Sequence, residues 1–164
     1  MLTPADLTAL DLSHPQTLYL PDDAATTVLG ALIAPFLHAG DVVYLTGDLG
    51  MGKSTLARGL IRALTTADQD VPSPTFTLVQ TYDTAAFVLW HLDLYRLTDP
   101  EETLELGLDD ALADGALLIE WPDRLGHFGF DARLDISLEQ ANHTNSPYGE
   151  GRIAHLKPQG RFRD

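Results

Sequence analysis

Apolar residues recur along this chain in short runs, and each run predicts an element. Thr17-Leu18-Tyr19-Leu20 reads as a short edge strand. Pro21-Asp22-Asp23 opens a stretch with Val28, Leu29, Leu32, Ile33 and Phe36 on one face, an amphipathic helix whose early acids suit its N-terminal dipole. Gly40 closes that helix, and Val42-Val43-Tyr44-Leu45 predicts the first core strand. Residues 55–64 favour a second helix, and two prolines keep Val71-Pro72-Ser73-Pro74-Thr75 extended. Residues 76–82 and 87–92 read as strands. Asp99-Pro100-Glu101-Glu102 is a helix start, with an Asp cap, Pro in first position and acids in the first turn. Residues 116–119 are wholly apolar, as the middle of a sheet requires. Residues 133–138 and 152–156 alternate and predict an antiparallel hairpin around a polar connection. The pattern is a three-layer α/β domain with a mixed, mostly parallel sheet and a C-terminal antiparallel hairpin. No repeat or linker divides the 164 residues, so a single domain is expected over residues 1–164.

Composition narrows the class. Hydrophobic content of 45% and charged content of 21% are ordinary for a soluble globule. No apolar run approaches the roughly 20 residues of a membrane helix, so no membrane role is expected. Met1-Leu2-Thr3-Pro4-Ala5-Asp6 lacks the basic start of a secretory signal, and the expected location is cytoplasmic. The absence of cysteine rules out disulfides and thiolate chemistry. Lys and Arg number 10 against 24 Asp and Glu, a net charge of −14. A protein that grips nucleic acid alone presents a basic face, yet the only lysines are Lys53 and Lys157. Action on nucleic acid is therefore expected to go through a partner; the acidity equally serves solubility.

The most specific chemistry lies between the first core strand and the second helix. Gly47-Asp48-Leu49-Gly50-Met51-Gly52-Lys53-Ser54 fits the phosphate-loop pattern G-x-x-x-x-G-K-[ST]. Glycines let the backbone curl so that successive N–H groups point at one anion, and the following helix adds its positive end. Such a loop binds a nucleoside tri- or diphosphate, with Lys53 reaching the β- and γ-phosphates and Ser54 offering its hydroxyl to Mg²⁺. The expected P-loop NTPase-like domain thus takes a nucleoside tri- or diphosphate and Mg²⁺ as ligands.

Phosphate chemistry also needs acids near the metal. Asp93 and Glu120 each follow an apolar strand, where doubly wound sheets build their sites. Either could take Mg²⁺ directly, hold one of its waters or orient an attacking water. His91 lies two residues before Asp93 and shares its strand face, which suits a structural or supporting role better than a metal ligand because no third ligand is in view. Tyr95 and Arg96 are open to anchoring the strand end, contacting phosphates or meeting a partner.

Five blocks carry a family resemblance: residues 47–54 followed by Thr55; Ser73-Pro74-Thr75-Phe76-Thr77-Leu78-Val79; His91-Leu92-Asp93-Leu94-Tyr95-Arg96-Leu97; Asp99-Pro100-Glu101-Glu102; and Ile119-Glu120-Trp121-Pro122. In this order they resemble the TsaE (formerly YjeE) family, small bacterial ATPases of tRNA threonylcarbamoyladenosine (t6A) synthesis, over residues 20–156. The resemblance implies an ATPase that binds a TsaB–TsaD heterodimer and uses hydrolysis to reset it between turnovers. Such a protein would meet tRNA only through the complex. It implies contacts to ATP/ADP from Asp48, Leu49, Gly50, Met51, Gly52, Lys53, Ser54 and Thr55, with Asp23 and Arg152 flanking the base or sugar. Ser54, Asp93 and Glu120 would organise Mg²⁺, Lys53, Asp93, Glu120 and Thr75 would serve hydrolysis, and Thr75 would lie in a loop sensing the γ-phosphate. Trp121 is a functional aromatic by the same resemblance. Met51 stands where the family commonly has alanine, and must point away from the phosphates. Ser54 replaces a common threonine and keeps the hydroxyl.

Two other classes fit a phosphate loop. A small-molecule kinase needs an acceptor pocket and an arginine-bearing lid, whereas the eight arginines here are scattered from Arg58 to Arg163. A nucleotide-gated binding module would scarcely hydrolyse and would be read by its partner. A GTPase is disfavoured because no N-K-x-D motif exists; the only asparagines are Asn142 and Asn145.

Overall fold

Alternation of apolar residues on both faces of the central strands forces a sheet covered on two sides. The structure, a computed structural model, describes residues 2–7, 10–160 and 162. Met1, Arg161 and Arg163, which entered the readings of targeting signal and arginine distribution, lie outside those residues. The strands are β1 (Gln16–Leu20), β2 (Val42–Thr46), β3 (Val79–Asp83), β4 (Val88–Asp93), β5 (Gly115–Glu120), β6 (Arg133–Gln140) and β7 (Arg152–Gln159). They form one sheet in the order β1-β7-β6-β2-β5-β4-β3. The central strands β6, β2, β5 and β4 are mutually parallel. β7 and β3 run the other way, and the β6–β7 hairpin is antiparallel over the whole length of both strands.

Helices α1 (Asp23–Ile33) and α2 (Lys53–Leu64) cover one face of the sheet. The Asp22 carboxylate caps α1 by accepting the Ala25 N–H at 2.9 Å. The two helices cross at close range. A Cβ on Gly30 would meet the Leu56 carbonyl oxygen at 2.3 Å, and one on Gly59 would meet the Thr27 carbonyl oxygen at 2.3 Å. Only residues without a side chain allow that approach, and it fixes where α2 begins relative to the sheet. The opposite face carries a 3₁₀ helix at Pro100–Leu106, the short α3 (Leu108–Ala111) and a 3₁₀ segment at Pro122–Phe128, packed over Val42, Tyr44, Leu117 and Ile119. Among the described residues no helix is long and apolar enough to cross a membrane.

Two expectations need correction. The strand expected over 76–82 begins only at Val79. Residues 74–77 instead form a turn, closed by the Leu78 N–H on the Pro74 carbonyl at 2.8 Å, with Leu78 at φ 66° and Phe76 80% exposed. Phe76 extends the strand pattern in sequence, but a side-chain bond from Thr75 to Asp93 holds the turn. The helix expected from Asp99 starts there, with the Asp99 carboxylate accepting the Glu101 N–H at 3.0 Å. It is nevertheless 3₁₀ and ends at Gly107, whose φ of 66° breaks the run before α3.

Candidate functional site

β2 delivers the chain to the C-terminal edge of the parallel strands, and Gly47, Gly50 and Gly52 turn it back into α2 with φ of 146°, 82° and 103°. Gly47 has no alternative: a Cβ there would lie 2.7 Å from the Leu138 carbonyl oxygen. α2 begins at Lys53, so the first-turn N–H groups of Lys53, Ser54 and Thr55 have no partner within the helix. Lys53 is buried. Its ammonium donates to the carbonyl oxygens of Gly47 and, at 3.2 Å, Asp48, and lies 4.3 Å from the centroid of the Trp121 ring. Burial lowers its pKa from the ordinary lysine value, while the charges of Glu120, Asp93 and Asp48 oppose that shift.

Parallel pairing puts Asp93 opposite Glu120 at the ends of β4 and β5. Asp93 is buried and held at both oxygens: Oδ2 accepts the Thr75 hydroxyl at 2.9 Å and Oδ1 accepts the Tyr95 N–H at 3.0 Å. Thr75 also shares a hydroxyl–hydroxyl bond of 2.7 Å with Ser73. Glu120, equally buried, bonds through Oε2 to His91 Nε2 at 2.7 Å. Trp121 follows it in the left-handed region at φ 58°, and its ring meets Tyr95 with centroids 4.9 Å apart.

These groups surround one cavity of about 320 Å³, lined by Asp23, Leu49, Gly50, Gly52, Lys53, Ser54, Thr55, Ser73, Thr75, Asp93, Glu120 and Trp121. Larger hollows of about 440 and 420 Å³ lie elsewhere and contain none of the loop residues. Of the sequence-derived candidates, three do not line the cavity. Asp48 contributes its carbonyl to Lys53. Met51 packs sideways against the α1–α2 core and so leaves the loop interior clear. Arg152 meets the loop from β7, donating to the Gly50 carbonyl at 3.3 Å and to Gln140 at 2.9 Å. Arg96 stacks on the exposed Phe76 ring, 4.5 Å from its centroid. Sequence reasoning gave Ser73 no role at the site and did not pair His91 with Glu120. Alternation put His91 and Asp93 on one face, but which strand would lie beside them could not be read from the sequence.

The family model described as "Threonylcarbamoyl adenosine biosynthesis protein TsaE" matches residues 20–148, most of the chain. The chain belongs to the TsaE family. Among curated TsaE proteins, described as tRNA threonylcarbamoyladenosine biosynthesis proteins, that of Rickettsia felis is 40% identical over 122 residues, covering 74% of this chain and 71% of its own. That of Bacillus subtilis is 37% identical over 117 residues, covering 71% and 72%. The crystal structure of YdiB from Bacillus subtilis superposes with a TM-score of 0.69 at 26% identity, covering 89% of this chain and 86% of that one. The TsaE match spans every residue that lines the cavity, whereas Arg152 falls beyond it.

Proposed function

We propose that this chain is the ATPase subunit of the bacterial t6A modification machinery, a single P-loop domain that binds ATP with Mg²⁺ and hydrolyses it to support turnover of a TsaB–TsaD transferase in the cytoplasm. The observation that carries this reading is the convergence of Lys53, Ser54, Thr75, Asp93 and Glu120 on one cavity at the mouth of the glycine loop. Membership of the TsaE family supports the biological setting.

The residues present suit both ligands. No group of three or more His, Cys, Asp or Glu among the described residues could hold a metal by itself. Ser54, Asp93 and Glu120 supply one hydroxyl and two carboxylates, a donor set that leaves positions for phosphate oxygens, as Mg²⁺ sites in NTPases do. When bound, Mg²⁺ would neutralise charge on the β- and γ-phosphate oxygens. The residues of the chain do the rest. The first-turn N–H groups of α2 and the loop amides present donors to a polyphosphate. Lys53 exchanges its carbonyl partners for phosphate oxygens. Thr75, tied to Asp93, couples the 74–77 turn to the acid at the end of β4. A change at the γ-phosphate can thus be relayed to exposed Phe76 and to a partner.

The decisive assay is phosphate release from ATP by the purified chain, alone and with TsaB–TsaD, using Lys53→Ala as the blank. Weak intrinsic turnover, stimulated by the pair and lost in Lys53→Ala, is the expected result. Turnover only with an added small-molecule acceptor would favour a kinase, and nucleotide binding without turnover a passive nucleotide-gated module.

A further inference from the structure

His91 is among the most buried polar residues of the molecule, at 2% relative exposure, and it lies under the cavity rather than in its lining. Period-two alternation along β4 puts Leu89, His91 and Asp93 on the face covered by α1 and α2, while Ala116, Leu118 and Glu120 occupy the same face of β5. His91 pairs in register with Leu118, so its side chain reaches Glu120 one pleat further on. The imidazole Nε2 and Glu120 Oε2 are 2.7 Å apart, and with the hydrogen on Nε2 the ring donates to the carboxylate oxygen. The other ring nitrogen, Nδ1, is buried without a partner among the described residues. The ring therefore spends its hydrogen bonding on one oxygen of one carboxylate.

We propose that His91 is a positioning residue for Glu120: its Nε2–H fixes the carboxylate by one oxygen, leaving Oε1 for the metal or the attacking water. This rests on the ATPase reading above. A carboxylate on a three-torsion side chain at a strand end would otherwise sample several rotamers, and ordering it in advance removes that cost from the reaction. Asp93 solves the same problem differently, with a hydroxyl and a backbone N–H on its two oxygens. Among the described residues His91 is the one hydrogen-bond partner of the Glu120 side chain, so loss of the imidazole leaves the buried carboxylate without a hydrogen bond to orient it.

The test uses the full chain in five forms: wild type, His91→Ala, His91→Gln, Glu120→Gln and the His91→Ala/Glu120→Gln double variant. Loss of an outer partner of this kind costs about 10–100-fold. Partner-stimulated kcat for ATP should fall by that factor in His91→Ala with KM changed little, and His91→Gln, which keeps an N–H donor, should regain most of it. Adding His91→Ala to Glu120→Gln should cost roughly threefold at most, since the group being positioned is already gone. Ring ¹⁵N spectra of the nucleotide-free chain give a readout independent of turnover. His91 should show a protonated Nε2 whose resonance moves in Glu120→Gln. Wild-type kcat in His91→Ala, no recovery in His91→Gln, multiplying effects in the double variant, or an unmoved Nε2 resonance would each overturn the proposal. Absence of ATP turnover in the wild type would sink the ATPase reading instead, and the ring spectra would still decide whether the bond to Glu120 exists.

Discussion

The Lys53 ammonium sits 4.3 Å from the centroid of the Trp121 indole, and Trp121 adopts a left-handed backbone to follow Glu120 there. A non-glycine residue in that region carries strain of order 1–3 kcal/mol, offset in part by the cation over the ring. In this arrangement the lysine that would grip phosphate is parked on the indole and on two carbonyls of its own loop. On the proposed reading, a bound nucleotide would draw it off these partners.

That exchange is optically visible. With Trp90→Phe removing the other tryptophan, ATP is expected to change Trp121 emission by some tens of per cent. Lys53→Met should shift the starting emission and abolish the ATP-driven change. An equal change in Lys53→Met would mean that the indole reports something other than the lysine.

Thr75 should matter through its hydroxyl. A hydrogen bond to a charged group is worth about 1.5–3 kcal/mol, so Thr75→Ala is expected to lower hydrolysis about tenfold or more. Thr75→Ser should stay within a few-fold of wild type, because it keeps the bond to Asp93. Phosphate release measured side by side decides this, and equal losses in the two variants would assign the role to the methyl group.

The lowered pKa of Lys53 sets a sign for stability against pH. Burial, the largest cause, disfavours the charged form in the folded chain, so the unfolded chain binds the proton more readily. Stability must then rise as pH climbs from the folded pKa toward the ordinary lysine value of 10.5. Thermal melts of wild type and Lys53→Met from neutral pH to pH 10 should show the wild type gaining relative to the variant. A flat difference would show that the ammonium is as well accommodated folded as unfolded.

Gly59 should tolerate nothing larger. A methyl group driven to 2.3 Å from the Thr27 carbonyl forces α1 and α2 apart, and overpacking of this kind costs about 1–3 kcal/mol. Gly59→Ala is expected to melt several degrees lower, at roughly 2–4 °C per kcal/mol for a domain of this size. It should also weaken nucleotide binding, because the displaced helix carries Lys53 and Ser54 at its start. A variant with lowered melting and unchanged affinity would separate helix packing from the loop.

Features that depend on near neighbours were legible in the order of residues alone. Glycines at fixed spacing before a lysine and a hydroxyl, between an apolar run and a helix-forming stretch, can make only a few local structures, and the strand-loop-helix is there. Asp93 and Glu120 could be singled out because each ends an apolar strand, and Asp99 because its carboxylate caps the residues just after it. Contacts that depend on which strands become neighbours emerged only in the folded chain. Only the adjacency of β4 and β5 brings His91 to Glu120, 29 residues away in sequence. Thr75 reaches Asp93 across 18 residues, and that bond turns an expected strand into a turn with Phe76 exposed. Arg152 lies 102 residues beyond the Gly50 carbonyl it meets, and strand pairing sets it against the loop but outside the cavity lining. Local pattern fixes backbone conformation through short-range sterics and hydrogen bonding, whereas a side chain's partner is set by sheet order, which no window of the sequence contains.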